Sequence, residues 1–311
     1  MNVQSNAMPE SSHNSQEIAP AVMSLTRPMY WSVRRELSEN RSIYLAPLAA
    51  AGAALLGFVV SLIGLPHRTG GLSTINPAHQ HAWIGQPYDI TAGVMMATMI
   101  LVTVFYCADA LYGERRDRSI LFWKSLPVSD RTTVLAKASI PFVVLPLVTF
   151  AITIAMQIIM LLLNSALLLA GGRNVATLWT QLPLIQMWGL LLYHLVTAHT
   201  LWPAPVYCWL MLVSGWARRA ILLWAILPIV AIAGVEKLVF QTSHFAALVG
   251  SRFIGDTPSG AFTPPGTFPM DPVTHITPGR FLSTPGLWIG LAVAAAFLAA
   301  AVRLRRHQGP I

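Results

Sequence analysis

The residues able to carry chemistry in this chain are few and scattered. A phosphate-cradling loop needs a glycine-rich turn running into Lys followed by Ser or Thr. The one Lys-Ser pair is Lys124-Ser125, and Ser119, not Gly, stands five residues before it. The chain therefore does not bind ATP in that manner. His67, His79 and His81 lie in a segment with Asp89, but their spacing matches no closed metal site. HExxH and GxSxG are both missing, so neither zinc hydrolysis nor a serine nucleophile has a motif here. Cys107 and Cys208 sit inside apolar runs, with no disulfide framework or zinc spacing, and read as small packing residues. The expectation is a chain that is not itself an enzyme and holds no metal or cofactor.

Ionisable or amide groups interrupt the apolar runs at Asp109, Gln157, Asn164, Gln186, His194, His199 and Glu236. Such groups are costly in hydrocarbon and draw functional suspicion. Asp109 and Glu236 fall near run ends, where water reaches. His194 and His199 are five apart and do not share a helix face well. Packing and interhelical hydrogen bonding are the expected roles. One string stands out, His194, Thr197, His199 and Thr200, ahead of Pro203 and Pro205. If the chain lines a translocation path, that string is its first candidate.

The elements that position these groups follow from composition. Only 10% of the 311 residues are charged, 55% are hydrophobic, and mean hydropathy is +0.59. A soluble domain carries about 25% charged residues, so lipid must solvate much of this surface. A hydrocarbon core of ~30 Å takes roughly 20 apolar residues of helix. Six runs qualify, at residues 43–65, 90–111, 138–170, 182–213, 220–240 and 285–302. The third, at 1.5 Å per residue, would reach about 50 Å, and so must protrude, tilt or break. The fourth contains two prolines and is expected to kink. Residues 66–89 and 241–284, rich in Pro, Gly, Ser, Thr or His, read as loops. Residues 1–25 lack a basic start and an apolar core, and read as a disordered cytoplasmic tail rather than a cleavable signal. Residues 307–311 form a second tail, leaving one domain over 26–306.

The net charge of +8 and pI near 10 belong to topology rather than to nucleic-acid binding. With the N-terminus inside, fifteen Lys and Arg fall on the inner side and five on the outer. Every inner segment contributes, which places both termini in the cytoplasm.

Two inner segments are distinctive. Residues 27–41, RPMYWSVRRELSENR, suit an interfacial helix, with Tyr30, Trp31, Val33 and Leu37 on one face and Arg34, Arg35 and Glu36 on or near the other. Residues 112–137, YGERRDRSILFWKSLPVSDRTTVLAK, hold a dense charge cluster, Glu114, Arg115, Arg116, Asp117 and Arg118. An apolar knob follows, Ile120, Leu121, Phe122 and Trp123. Pro127 should stop a helix begun near Arg118, and Ser129 or Asp130 can cap the next. Charge around an apolar knob suits docking to a partner, with aromatics as anchors and charges for steering. It equally suits a knob that dips into the membrane interface.

The stretch GERRDRSILFWKSLPVSD resembles the cytoplasmic loop of bacterial ABC exporter permeases of the type-2 membrane family. WSVRREL is similar to that family's N-terminal interface helix, and WPAPVYCWLMLVSGWARR to its fourth span and following turn. The resemblance covers about residues 27–306. It implies an all-α membrane protein of six transmembrane helices, with an N-terminal amphipathic interfacial helix and a cytoplasmic coupling helix. It further implies a bacterial inner-membrane location and a permease homodimer with two separate ATPase subunits, which bind ATP and Mg. Docking would use Glu114, Arg115, Arg116, Asp117, Arg118, Ile120, Leu121, Phe122 and Trp123. Many members carry a re-entrant region between the last two spans; here 241–284 is polar and Pro-rich. The competing classes are an ion-gradient-driven secondary transporter, which the thin supply of intramembrane charge disfavours, and a non-transporting anchor or signalling subunit. No signature of the substrate is legible.

Overall fold

Backbone removed from water must satisfy its own hydrogen bonds, so apolar runs of this length become helices. The computed structural model describes residues 26–63, 77–125, 128–172, 174–254 and 278–307. About 89% of the described residues are helical, and no strand occurs among them. Helices α1 (Thr26–Glu39), α2 (Ser42–Ile63), α3 (Pro77–Asp109), α4 (Tyr112–Arg116) and α5 (Ile120–Ser125) come first. Next come α6 (Asp130–Ser139) and α7 (Leu145–Ala170), joined by a π-helical turn, Ile140–Val144. Then follow α8 (Ala176–Gln181), α9 (Leu184–Val196), a second π-helical turn (Thr197–Leu201) and α10 (Ala204–Trp216). The remaining helices are α11 (Ile221–Phe240), α12 (His244–Ile254), α13 (Pro278–Ser283) and α14 (Pro285–His307).

Five helical stretches are long and apolar enough to cross a membrane: Ser42–Leu62, Gly85–Arg116, Asp130–Ala170, Ile221–Phe240 and Pro285–His307. The fourth apolar run is not one of them. It is cut into α9 and α10, each of 13 residues, or ~20 Å. The break has a chemical cause. Pro203 has no N–H to offer the His199 carbonyl four residues back. The Tyr207 hydroxyl donates to that carbonyl instead, at 3.0 Å. The long third run is one unit of 41 residues, ~60 Å, and so protrudes well past a bilayer core. Pro141 likewise cannot reach Lys137, and the Ile140 N–H bonds the Lys137 carbonyl in its place.

Two loop expectations need correction. The helix of the second run starts at Pro77, and α12 and α13 lie within 241–284. The Pro, Gly, Ser and Thr that argued for a loop concentrate in 255–277, outside the described residues, as do 64–76. What remains at 244–254, HFAALVGSRFI, is good helical sequence. Glu236 fixes its start, accepting the His244 and Phe245 N–H groups at 2.7 and 2.8 Å and the Thr242 hydroxyl at 2.9 Å.

α3 lies at the centre, packed on α2, α7 and α10, and α10 packs on α14 and α11. Small residues Ala204, Cys208 and Ala294 let α10 and α14 approach closely. α11 stands at the edge, with Ala225 its one buried residue. The Trp209 indole ties it to α10 by donating to the Ala225 carbonyl at 3.1 Å.

Candidate functional site

The ends of α1, α3 and α14, and all of α4, α5 and α6, gather at one end of the bundle. Glu36, Glu114, Lys137 and Arg305 are all buried there. Lys137 Nζ lies 2.7 Å from Glu36 Oε1 and 3.3 Å from Glu114 Oε1. Arg305 donates to the other Glu114 oxygen, and through Nε to Asp130 Oδ1 at 3.0 Å. Arg35 adds a contact to Glu114 at 3.5 Å. The Tyr106 hydroxyl and the Asn40 amide donate to Glu36 Oε2 at 3.0 and 3.3 Å. Three carboxylates thus meet three cations across α1, α4, α6 and α14, and the buried charges are mutually compensated.

The charge cluster of residues 114–118 is divided in two by this arrangement. Glu114 and Arg115 turn inward. Arg115 donates to the Gly215 and Ala217 carbonyls at 2.7 and 3.2 Å, satisfying the open end of α10. Arg116 and Asp117 are exposed and pair with each other at 3.0 Å. Arg118 adopts φ 57°, a left-handed conformation rare for a residue with a side chain, and so turns α4 sharply into α5. The apolar knob is divided as well. Ile120 is buried beside Leu111, Arg115, Gly215 and Arg305. Leu121 and Phe122 are 60% and 61% exposed. The Trp123 side chain lies outside the described residues. Ser129 caps α6 by accepting the Thr132 N–H at 3.1 Å.

Helix α1, expected to be interfacial, presents different faces from those expected. Val33 and Leu37 pack against the core and Glu36 points inward, because α1 lies on α6 and its carboxylate meets Lys137. Tyr30 and Trp31 are 61% and 59% exposed, and the Arg34 guanidinium stands over the Trp31 ring at 5.2 Å.

The polar string of the fourth run is spent largely on its own backbone. His194 Nδ1 is 2.9 Å from the Leu190 carbonyl. Thr197 donates to Tyr193 and Thr200 to Leu195, at 2.6 and 2.7 Å. His194, Thr197 and Thr200 are buried, and His199 is half-buried in the π-helical turn. Gln157 bridges two elements, donating to the Tyr88 carbonyl at 3.3 Å and accepting from the Trp188 indole at 2.9 Å. Asn164 is half-buried, Gln186 exposed, and Asp109 half-exposed with Arg116 4.0 Å away. Among the described residues no three His, Cys, Asp or Glu side chains group as metal ligands; the His67, His79 and His81 side chains lie outside them.

Sequence reasoning missed three groups that organise the molecule. Lys137 and Arg305 find partners 101 and 191 residues away, and no local pattern announces them. Arg252, at the opposite end, donates to the Trp202 and Gly286 carbonyls at 3.1 and 2.7 Å and lies 4.1 Å over the Trp202 ring. Burial pulls its pKa below the usual arginine value. Gly290 makes room for it, since a Cβ there would fall 2.7 Å from a guanidinium nitrogen. No family model, curated protein or solved structure matches the chain.

Proposed function

We propose that this chain is the transmembrane permease subunit of an ATP-driven exporter, and that α4–α5 is where a separate ATPase subunit docks. One observation carries the reading. Leu121 and Phe122 project outward from a short helix whose underside is fixed by Ile120, Arg115 and the buried charge network. Such a tip can anchor in a partner's groove. Its rigid base would pass a push directly to α6–α7, α10 and α14. The exposed Arg116 and Asp117 would steer the encounter. In this reading the broken α9–α10 unit makes a sixth crossing, so both ends of the described chain lie in the cytoplasm, where the arginines concentrate. Two copies with two ATPases, which bind ATP and Mg, complete the machine at the bacterial inner membrane.

The test is gentle affinity purification from native membranes, followed by transport into vesicles with ATP. A stoichiometric P-loop ATPase, lost in Leu121→Ala/Phe122→Ala, is the expected result. Recovery of the chain alone, under conditions that preserve other membrane complexes, would transfer the assignment to an ion-driven carrier or a membrane anchor.

A further inference from the structure

An open groove of roughly 370 Å³ separates the charged end of α3 from the start of α11, a volume within the usual range for ligand sites. Its walls are apolar: Phe105, Ala108, Ile221, Leu222 and Leu223. The carboxylate at the rim, Asp109, lies 4.0 Å from Arg116. The turn leading into the groove carries Arg218 and Arg219, both exposed. Among the described residues no carboxylate pairs with either one. Ala220, which lines the groove, holds φ 49°, and the two exposed arginines immediately precede it in the chain. Trp216 and Trp224 flank the same turn, half-exposed and edge-to-face at 5.0 Å, as aromatics do at a membrane–water boundary.

We propose that this groove binds one anionic phospholipid of the cytoplasmic leaflet, with an acyl chain along α3 and α11 and the phosphate at Arg218 and Arg219. The reading rests on the membrane orientation argued above. The complementarity is specific in kind. An apolar slot alone accepts any lipid tail, whereas two exposed arginines beside it in the chain, without carboxylate partners among the described residues, favour a headgroup of net negative charge. The site also joins the outlying α11 to the central helix beside α4, so an occupied groove would stiffen the contact between them.

Native mass spectrometry of the full-length protein, titrated with phosphatidylglycerol and with phosphatidylcholine of matched chains, tests this directly. Phosphatidylglycerol should bind the unaltered protein with preference, and Arg218→Ala/Arg219→Ala should reduce its apparent affinity roughly thirtyfold. Phosphatidylcholine binding should stay as it was. Equal binding of the two lipids by the unaltered protein would overturn the proposal, whatever the variant does. So would bismaleimide cross-linking of Leu223→Cys between two copies in lipid nanodiscs, which would mean that a second copy covers the groove. Impermeant maleimide labelling of Arg219→Cys in intact cells separates the two levels of inference. Labelling from outside defeats the orientation itself; protection together with equal lipid binding defeats the lipid site alone.

Discussion

Lys137 sits between two buried carboxylates, and its replacement would leave them short of a counter-charge. Lys137→Met should cost about 3–5 kcal/mol, because breaking a buried pair strands its partner. Adding Glu36→Leu should recover much of that loss, since an apolar pair of similar volume is often as stable as the ionic one. Unfolding titrations of the two single variants and the double variant, in the same micelle, measure the coupling. The exposed Arg35–Glu39 pair, one helical turn apart, should contribute only about 0.3–0.5 kcal/mol by the same measurement. At this scale the sequence is a partial guide. Ser129 as a cap was legible because its partner lies three residues on, whereas Pro127 lies outside the described residues. The inward turn of Glu114 was not, because Lys137 and Arg305 reach it only after three other helices have packed.

The broken fourth run and the short α4–α5 unit make separable demands on their elements. Tyr207→Phe removes the donor that serves the His199 carbonyl in place of the missing Pro203 amide. A loss of about 1–3 kcal/mol is expected, the cost of leaving a buried acceptor unmet. Melting of the purified variant would read it, and an unchanged melting point would mean that water takes over the bond. Leu121→Ala/Phe122→Ala, by contrast, should shift stability by no more than roughly 0.5 kcal/mol, since both side chains are exposed. A loss of ATP-driven transport with melting unchanged is the outcome that separates docking from structure. A matched loss of stability would assign the knob to the fold. Prolines in the sequence announced a kink in the fourth run but not the π-helical turn before it, which arises from how the chain recovers its hydrogen bonds around Pro203. Proline and glycine likewise marked 241–284 as a loop, yet did not separate the eleven residues of α12 from the segment around them.

For the whole molecule, the apolar runs were sufficient to mark five long helices; they marked the fourth run as a sixth, which is instead divided between two helices of 13 residues each. Single cysteines on a background lacking Cys107 and Cys208, both buried, give the topology. Ser129→Cys should be shielded from impermeant maleimide in intact cells, and Thr242→Cys should be labelled. The reverse pattern would invert the molecule, and labelling of both would require an even number of crossings between them. The charge network also has a consequence for biogenesis. Glu36, Glu114 and Lys137 leave the ribosome long before Arg305 does, so the nascent protein carries an incomplete ion cluster until α14 has been inserted. A chain halted before Arg305 would present Glu114 and Asp130 without that cation, a mark that membrane quality control can read. Full-length protein should accordingly outlive such a fragment in a pulse-chase experiment, by a margin that shrinks when Glu114 is changed to Gln.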